Sequence, residues 1–225
     1  RYILYARTSD DPEDVRRHRH LSSFIVEKGM PRFTVERINE LIGLDYGCSV
    51  YLPSKEKTVP IENRIGQEGE GWRVMMAGLN HERLIAAALS LSALREAIKT
   101  VVPYTERRIQ FGMPTINIPT NQFKLADLVM RLRLSRLATY YAAYLMDLGQ
   151  GAAVECSMAK LYAAQALMQG SIEAVQVMGG DGVTKFYPLE RLLRDAKICL
   201  LKKRTFQGPQ LVIYLKEIHL VVSSP

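Results

Sequence analysis

The chain has 225 residues, of which 48% are hydrophobic and 24% charged, and its formal net charge is +7. These values are ordinary for a globular protein and exclude collagen-like, mucin-like and wholly disordered chains. The excess of Lys and Arg suits a polyanionic or phosphate-rich ligand, although a basic surface is as common in proteins without one.

Short runs rich in β-branched and aromatic residues occupy the first 66 residues and are separated by turn-forming residues. The basic cluster at 16–20 falls between two of these runs and is interpreted as a solvated loop. His18 and His20 have no further metal-ligating residue close in sequence, so no metal site is predicted. Strands are predicted over Tyr2–Thr8 and Leu21–Glu27, with weaker candidates at Phe33–Glu36 and Val50–Leu52.

From Gly71 onward the apolar residues recur at a helical period. The pattern predicts four long helices, the first from Gly71 and interrupted by Pro103, with the tail at 210–222 as a candidate fifth. The other three are predicted over about 122–147, 152–178 and 188–203. We therefore predict an α+β, mostly α, fold: a partial antiparallel β-domain over 1–68, then an up-down four-helix bundle over 69–225.

Glu82 falls on the apolar stripe of the first helix, close to Met75, Leu79 and Ala86. One interpretation is a buried ion pair with Arg83 that joins helices. The other is a base whose pKa is raised by an apolar pocket, which would suit proton abstraction near neutral pH. Spacing alone leaves both open.

Two further segments combine polar side chains with glycine: Arg108-Ile109-Gln110-Phe111-Gly112 and Gln176 to Gly182. Arg and Gln beside such turns can bind phosphate and ribose oxygens, although a helix cap is an equally simple explanation. No dinucleotide fingerprint follows a strand, and no P-loop or HExxH motif occurs. A nucleic-acid-binding function would rest on charge alone.

Taken in order, these segments resemble the acyl-CoA dehydrogenase flavoproteins over most of the chain. Residues 1–66 resemble the second half of the family's middle β-domain, and Gly69-Glu70-Gly71-Trp72 resembles the entry into its C-terminal four-helix domain. The other pieces follow in the family's order: Leu79-Asn80-His81-Glu82-Arg83, Arg108-x-x-Phe111-Gly112, Gln122 with Leu125-Ala126-Asp127, Ala159-Lys160, Gln176 with Gly179-Gly180-x-Gly182, and Arg194-Asp195-Ala196-Lys197.

The resemblance implies FAD-dependent α,β-dehydrogenation of an acyl-CoA thioester to a trans-2-enoyl-CoA. At one of the family's two base positions this chain has Lys203 and Arg204 in place of Glu-Gly. Glu82 matches the other position, used by isovaleryl-CoA and long-chain members, and is the expected catalytic base. Asn80 and Arg83 match substrate-site residues.

By the same resemblance, FAD is the cofactor. Its expected contacts are Arg108, Gln110 and Phe111, across a subunit interface, and Gln176, Gly180, Thr205 and Gln207. The expected partners are an acyl-CoA substrate, an electron acceptor such as an electron-transfer flavoprotein, and further copies of the chain in a homotetramer. Neither nucleic acid nor a membrane span is expected.

The family's N-terminal helical domain and the first half of its β-domain have no counterpart in the chain, which we interpret as the C-terminal part of a larger flavoenzyme. Three widely spaced cysteines favour a reducing compartment. The expected location is the cytoplasm in a prokaryote or the mitochondrial matrix in a eukaryote. The alternative is a degenerate or truncated member that serves in oligomerisation or CoA-ligand binding without turnover.

Overall fold

A computed structural model describes residues 2–30, 37–44, 49–51 and 59–201. These residues form two compact units. One combines the described residues of 1–41 and 45–79, and the other combines 42–44 with 80–201. The predicted domain boundary after residue 68 stays a prediction. Several predicted features lie outside the described residues: the strand at 33–36, the fifth helix at 210–222, and the positions of Lys203, Arg204, Thr205 and Gln207.

The first unit is built on an antiparallel sheet, in which β1 (Tyr2–Arg7) pairs with β2 (Leu21–Val26) along its whole length. The strands β3 (Arg37–Asn39) and β4 (Ser49–Tyr51) form a separate antiparallel pair. The short strand β5 (Arg64–Ile65) adds to the free side of β2 and gives the order β1-β2-β5. The strands predicted near residues 2, 21 and 50 are thus present.

A short helix, α1 (Pro12–Arg16), lies between β1 and β2. The loop predicted over 16–20 is therefore wrong at Arg16, which is the last residue of this helix. The Asp11 side chain accepts a hydrogen bond from the Glu13 amide at 2.8 Å, and Pro12 fills the first helical position. Both features are helix-start signals as well as turn signals. The chain then turns at His18, whose ring stacks on Trp72 with 4.4 Å between the centroids.

The first long helix, α2 (Gly71–Arg107), runs through Pro103, so the predicted interruption is also wrong. A proline inside a helix removes one backbone hydrogen bond and tends to kink the helix. Pro103 lies only four residues before Arg107, the last residue of α2. The helix begins where the backbone is crowded. A Cβ on Gly71 would lie 2.7 Å from the Leu21 carbonyl, so only glycine fits at this start.

Three more helices complete the second unit: α3 (Pro119–Asp147), α4 (Ala153–Met178) and α5 (Leu189–Leu201). Between α2 and α3 lies a tight hairpin of β6 (Ile109–Gln110) and β7 (Met113–Pro114). Much of α4 is buried, and most of its buried residues are small. The hydrophobic core around it includes Leu94, Leu128 and Leu189. A small antiparallel sheet followed by a four-helix domain confirms the predicted fold class.

Residues 42–44 belong to the second unit because they contact α5. The Leu44 amide donates to Asp195 Oδ1 at 2.5 Å, and Arg194 Nη1 donates to the Ile42 carbonyl at 2.8 Å. Gly43 lies between them with no room for a side chain, since a Cβ there would be 2.6 Å from Asp195 Oδ1.

Candidate functional site

The predicted substrate-site residues lie within one turn of α2. Arg83 is half-buried, and its Nη1 donates a long hydrogen bond of 3.4 Å to Asn80 Oδ1. Burial lowers the pKa of the Arg83 guanidinium from its ordinary value. Glu82, the candidate base, is half-buried beside it. One turn of α2 thus holds a carboxylate and a guanidinium that are both partly shielded from water.

Two further groups from α4 interact with Arg83, and sequence reasoning assigned a role to neither. Cys156 is fully buried, and its burial raises the pKa of the thiol although Arg83 lies near. Lys160 is only 1% exposed, and its Nζ donates to the Leu200 carbonyl at 3.3 Å, in the last turn of α5. Burial lowers the pKa of Lys160, and the charge of Arg83 lowers it further. The available signals for Lys160 were its place within a run of small residues and the match of Ala159-Lys160 to the family.

A cleft of about 330 Å³ lies where α2, the β6–β7 hairpin and the end of α4 meet. Four of the predicted FAD-binding residues line it: Arg108, Gln110, Gln176 and Gly180. They come from segments separated in sequence by more than 60 residues, and the helix ends bring them together. We call this the nucleotide cleft.

Backbone hydrogen bonds hold the hairpin wall of the nucleotide cleft. The Arg108 amide donates to the Tyr104 carbonyl at 2.9 Å, which closes the last turn of α2. The Thr115 amide donates to the Arg108 carbonyl at 2.8 Å, and the Thr115 hydroxyl donates to the Thr105 carbonyl at 3.2 Å. Gln110 is therefore presented from a closed, short loop.

The glycines after α4 have different surroundings. Gly179 ends the helix with a φ of 62°, which favours glycine. A Cβ on Gly180 would meet no described atom within 4 Å, whereas one on Gly182 would lie 2.5 Å from the Val175 carbonyl. Gly182 is thus required by packing, while Gly180 leaves open space in the cleft, as close approach of a ligand would need.

Of the predicted cofactor residues that the structure describes, Phe111 is the one that does not line the cleft. It stands at the tip of the hairpin with a φ of 53°, and 90% of it is exposed. Gly112 follows with a φ of 79°, so two left-handed residues make the turn. A left-handed aromatic residue with an exposed ring is unusual and marks a candidate contact with another molecule.

Tyr104 and Asp181 also line the cleft, and sequence reasoning missed both. The Tyr104 hydroxyl donates to Asp181 Oδ2 at 2.6 Å and lies 3.4 Å from the Met178 carbonyl. Its ring meets the edge of Tyr187 at a centroid distance of 5.7 Å. Burial, with the hydrogen bond to Asp181 as the next cause, raises the pKa of Tyr104 to about 12.

Within the described ranges, no three His, Cys, Asp or Glu side chains are grouped so that they could hold a metal ion. The same ranges contain no helix with the length and apolar character needed to cross a bilayer.

The described part of the chain is mostly helical and has a cleft where helix ends meet, and comparison with known proteins identifies the family of this fold. Residues 69–201 match the model of the acyl-CoA dehydrogenase C-terminal domain. An acyl-CoA dehydrogenase of Bacillus subtilis is 38% identical over 213 residues, covering 94% of this chain and 55% of the relative. The chain belongs to the acyl-CoA dehydrogenase family, as predicted.

Solved structures agree with this assignment. Butyryl-CoA dehydrogenase of Megasphaera elsdenii is 33% identical with a TM-score of 0.88, covering 94% of this chain and 54% of the other. The FAD complex of PigA is 26% identical with a TM-score of 0.88, covering 95% of this chain and 55% of the other. The chain therefore spans about half the length of the relatives it matches.

Proposed function

We propose that this chain supplies the catalytic and cofactor-binding half of an FAD-dependent acyl-CoA dehydrogenase that converts an acyl-CoA thioester to a trans-2-enoyl-CoA. The observation that carries the proposal is the nucleotide cleft. Four residues singled out from the sequence as flavin contacts, Arg108, Gln110, Gln176 and Gly180, converge on it.

The chemistry of the nucleotide cleft fits the adenosine diphosphate end of FAD. The guanidinium of Arg108 can pair with a phosphate, and the amides of Gln110 and Gln176 can bind ribose or phosphate oxygens. Gly180 has no side chain to block a ligand. FAD, when bound, supplies the hydride acceptor of the reaction. The exposed ring of Phe111 supports a contact with flavin held by a second copy of the chain.

Glu82 is the proposed base. The α-proton of a thioester is weakly acidic, so its removal requires a positioned carboxylate in a site partly shielded from water. Glu82 is half-buried on α2 and can accept this proton on its carboxylate. The neighbouring Arg83 and Asn80, which are linked to each other at 3.4 Å, are proposed to orient the acyl-CoA.

The test uses the full chain, loaded with FAD and mixed anaerobically with saturated acyl-CoA thioesters of several chain lengths. Bleaching of the flavin absorbance reports dehydrogenation. We expect Glu82→Gln to slow the bleaching at least about 100-fold, the scale of general-base catalysis. Glu96→Gln, which changes an exposed carboxylate on the same helix, should leave the rate unchanged. Equal rates in Glu82→Gln and the parent chain would disprove the assignment of the base.

A second candidate function is non-catalytic assembly or binding of a CoA ligand. Lys203 and Arg204 favour it, because they replace the Glu-Gly pair that the family resemblance places at the other base position. Acyl-CoA binding without bound flavin and without turnover would support this candidate over the first.

We also propose that the chain forms homo-oligomers through α3. Five residues with apolar or aromatic side chains on this helix, and Leu148 at its C-cap, follow one another at alternating four- and three-residue spacing, and each is between 44% and 67% exposed. We call them the α3 stripe: Met130, Leu134, Leu137, Tyr141, Tyr144 and Leu148. This spacing is typical of a helix seam that packs on another helix. A homotetramer, electron transfer to an electron-transfer flavoprotein, and a cytoplasmic or mitochondrial-matrix location complete the proposal.

A further inference from the structure

We infer that Tyr104 and Asp181 form a latch that fixes the spacing between the two walls of the nucleotide cleft and so positions its ligand. The inference rests on the proposed function, because it assumes that the nucleotide cleft receives the adenosine diphosphate part of FAD. It adds two positioning residues to those expected from the sequence.

The latch joins the two walls where the cofactor residues stand. On one wall, Tyr104 accepts the backbone hydrogen bond of Arg108 at 2.9 Å, so both residues share the last turn of helical backbone. On the other, Asp181 directly follows Gly180. The hydrogen bond of 2.6 Å from the Tyr104 hydroxyl to Asp181 Oδ2 connects these two turns across 77 residues of sequence.

The surroundings of Tyr104 make the latch rigid. The residue is 8% exposed, and its ring packs edge-on against Tyr187. Its hydroxyl is also within 3.4 Å of the Met178 carbonyl, in the last turn of α4. A buried hydroxyl rarely stays without an acceptor, and the single proton of Tyr104 has its short hydrogen bond to Asp181, with the Met178 carbonyl beside it on the same wall.

The latch also controls a charge. Asp181 is the one carboxylate among the described residues that line the nucleotide cleft, and a phosphate ligand would repel it. The Tyr104 hydroxyl engages one carboxylate oxygen and keeps that charge in a fixed place. Without this donor, we expect the carboxylate to rotate toward Arg108 and compete with the phosphate for the guanidinium.

The experiment measures the dissociation constants of FAD and of ADP by isothermal titration calorimetry on the full chain, well below its melting temperature. We expect Tyr104→Phe to raise both constants about tenfold, corresponding to about 1.4 kcal/mol. Tyr162→Phe, which removes a hydroxyl from a partly buried tyrosine of α4 outside the cleft, is the matched control and should bind like the parent chain.

A paired change at Asp181 separates positioning from folding. Asp181→Asn keeps an oxygen acceptor for Tyr104 and should bind ADP at least as well as the parent chain, while Asp181→Leu should weaken ADP binding as Tyr104→Phe does. A purely structural role predicts lower melting temperatures with unchanged dissociation constants. This pair also tests the latch if Tyr104→Phe does not fold.

The outcomes separate the proposed cofactor role of the cleft from the proposed latch. If the parent chain binds neither FAD nor ADP, the proposed cofactor role fails and the latch fails with it. If the parent chain binds and both Tyr104→Phe and Asp181→Leu bind equally well, the latch alone is overturned.

Discussion

Lys160 places an ammonium group where almost no water reaches it. Among the described residues, its Nζ donates a hydrogen bond to the Leu200 carbonyl at 3.3 Å, and the nearby charge of Arg83 disfavours the charged lysine. Burying a cation opposes folding, and no ion pair joins Lys160 to a carboxylate in the part of the chain that the structure describes, so we expect this residue to reduce stability. The contact ties α4 to the last turn of α5, where the partial negative charge of a helix end favours a cation.

The burial of Lys160 makes the stability of the folded chain depend on pH. Because burial lowers its pKa, the folded protein binds fewer protons than the unfolded chain between the folded-state pKa and the ordinary value of about 10.4. The free energy of unfolding should therefore rise with pH through that window, while below the folded-state pKa the full cost of the charge is present.

Lys160→Met removes the charge and keeps the length of the side chain. We expect it to be more stable than the parent chain by about 1–2 kcal/mol at neutral pH, with the difference shrinking toward pH 10. Urea denaturation at several pH values measures this, with the exposed Lys99→Met as the control. A constant difference between the parent chain and Lys160→Met across pH would contradict the assignment.

At the level of elements, the close packing of α4 depends on its small residues. Gly170 is the extreme case, since a Cβ there would lie 2.5 Å from Leu94 Cδ1 and 3.1 Å from Leu128 Cδ2. Both leucines are at most 1% exposed, so neither can move aside into solvent. Glycine has a poor helix propensity, but its lack of a side chain lets α2 and α3 approach α4 closely at this position.

Two glycine-to-alanine changes within helices should therefore have opposite effects. Gly170→Ala should destabilise the chain by about 1–3 kcal/mol through overpacking. Gly78→Ala, on α2, adds a methyl group that meets no described atom within 4 Å and should stabilise by about 0.5–1 kcal/mol through helix propensity. Thermal denaturation of both variants beside the parent chain measures the two shifts. Equal shifts would show that packing at Gly170 is looser than described.

The sequence predicted those elements whose local signals agree. The helices α3 and α4 have periodic apolar residues and end near Gly149 and at Gly179, and both were predicted within a few residues. The helix α1 was missed because Asp11 and Pro12 serve turns and helix starts alike.

The candidate site was predicted in its parts but not in its contacts. Arg108, Gln110, Gln176 and Gly180 were selected by resemblance, and the structure brings them together. The pairing of Tyr104 with Asp181 could not be predicted, because the two residues are 77 positions apart and neither carries a local pattern that names the other.

For the whole molecule, the α3 stripe is nearly symmetric about Thr139. If a second copy packs antiparallel with its centre there, Met130 faces Leu148, Leu134 faces Tyr144, and Leu137 faces Tyr141. Apolar residues therefore meet apolar residues along the whole pairing, as a two-fold antiparallel contact between identical helices requires.

We therefore expect Leu137→Glu to disrupt the assembly, because it buries two carboxylates near the centre of each contact between α3 helices. Sedimentation velocity over a range of concentrations should give a smaller species for this variant than for the parent chain. Ile61→Glu, at a 69% exposed position outside the stripe, is the matched control. A monomeric parent chain, or an unchanged mass for Leu137→Glu, would contradict the proposal.

The contact of residues 42–44 with α5 has a consequence for how the molecule can be divided. The Leu44 amide and the Asp195 carboxylate that receives it are 151 positions apart, so closing this contact joins distant parts of the chain and is expected to form late in folding. An isolated fragment that begins at residue 69, where the matched family domain begins, would leave that carboxylate without its backbone partner. The shortest piece that retains the contact must start before residue 42, and excision experiments should place their cut accordingly.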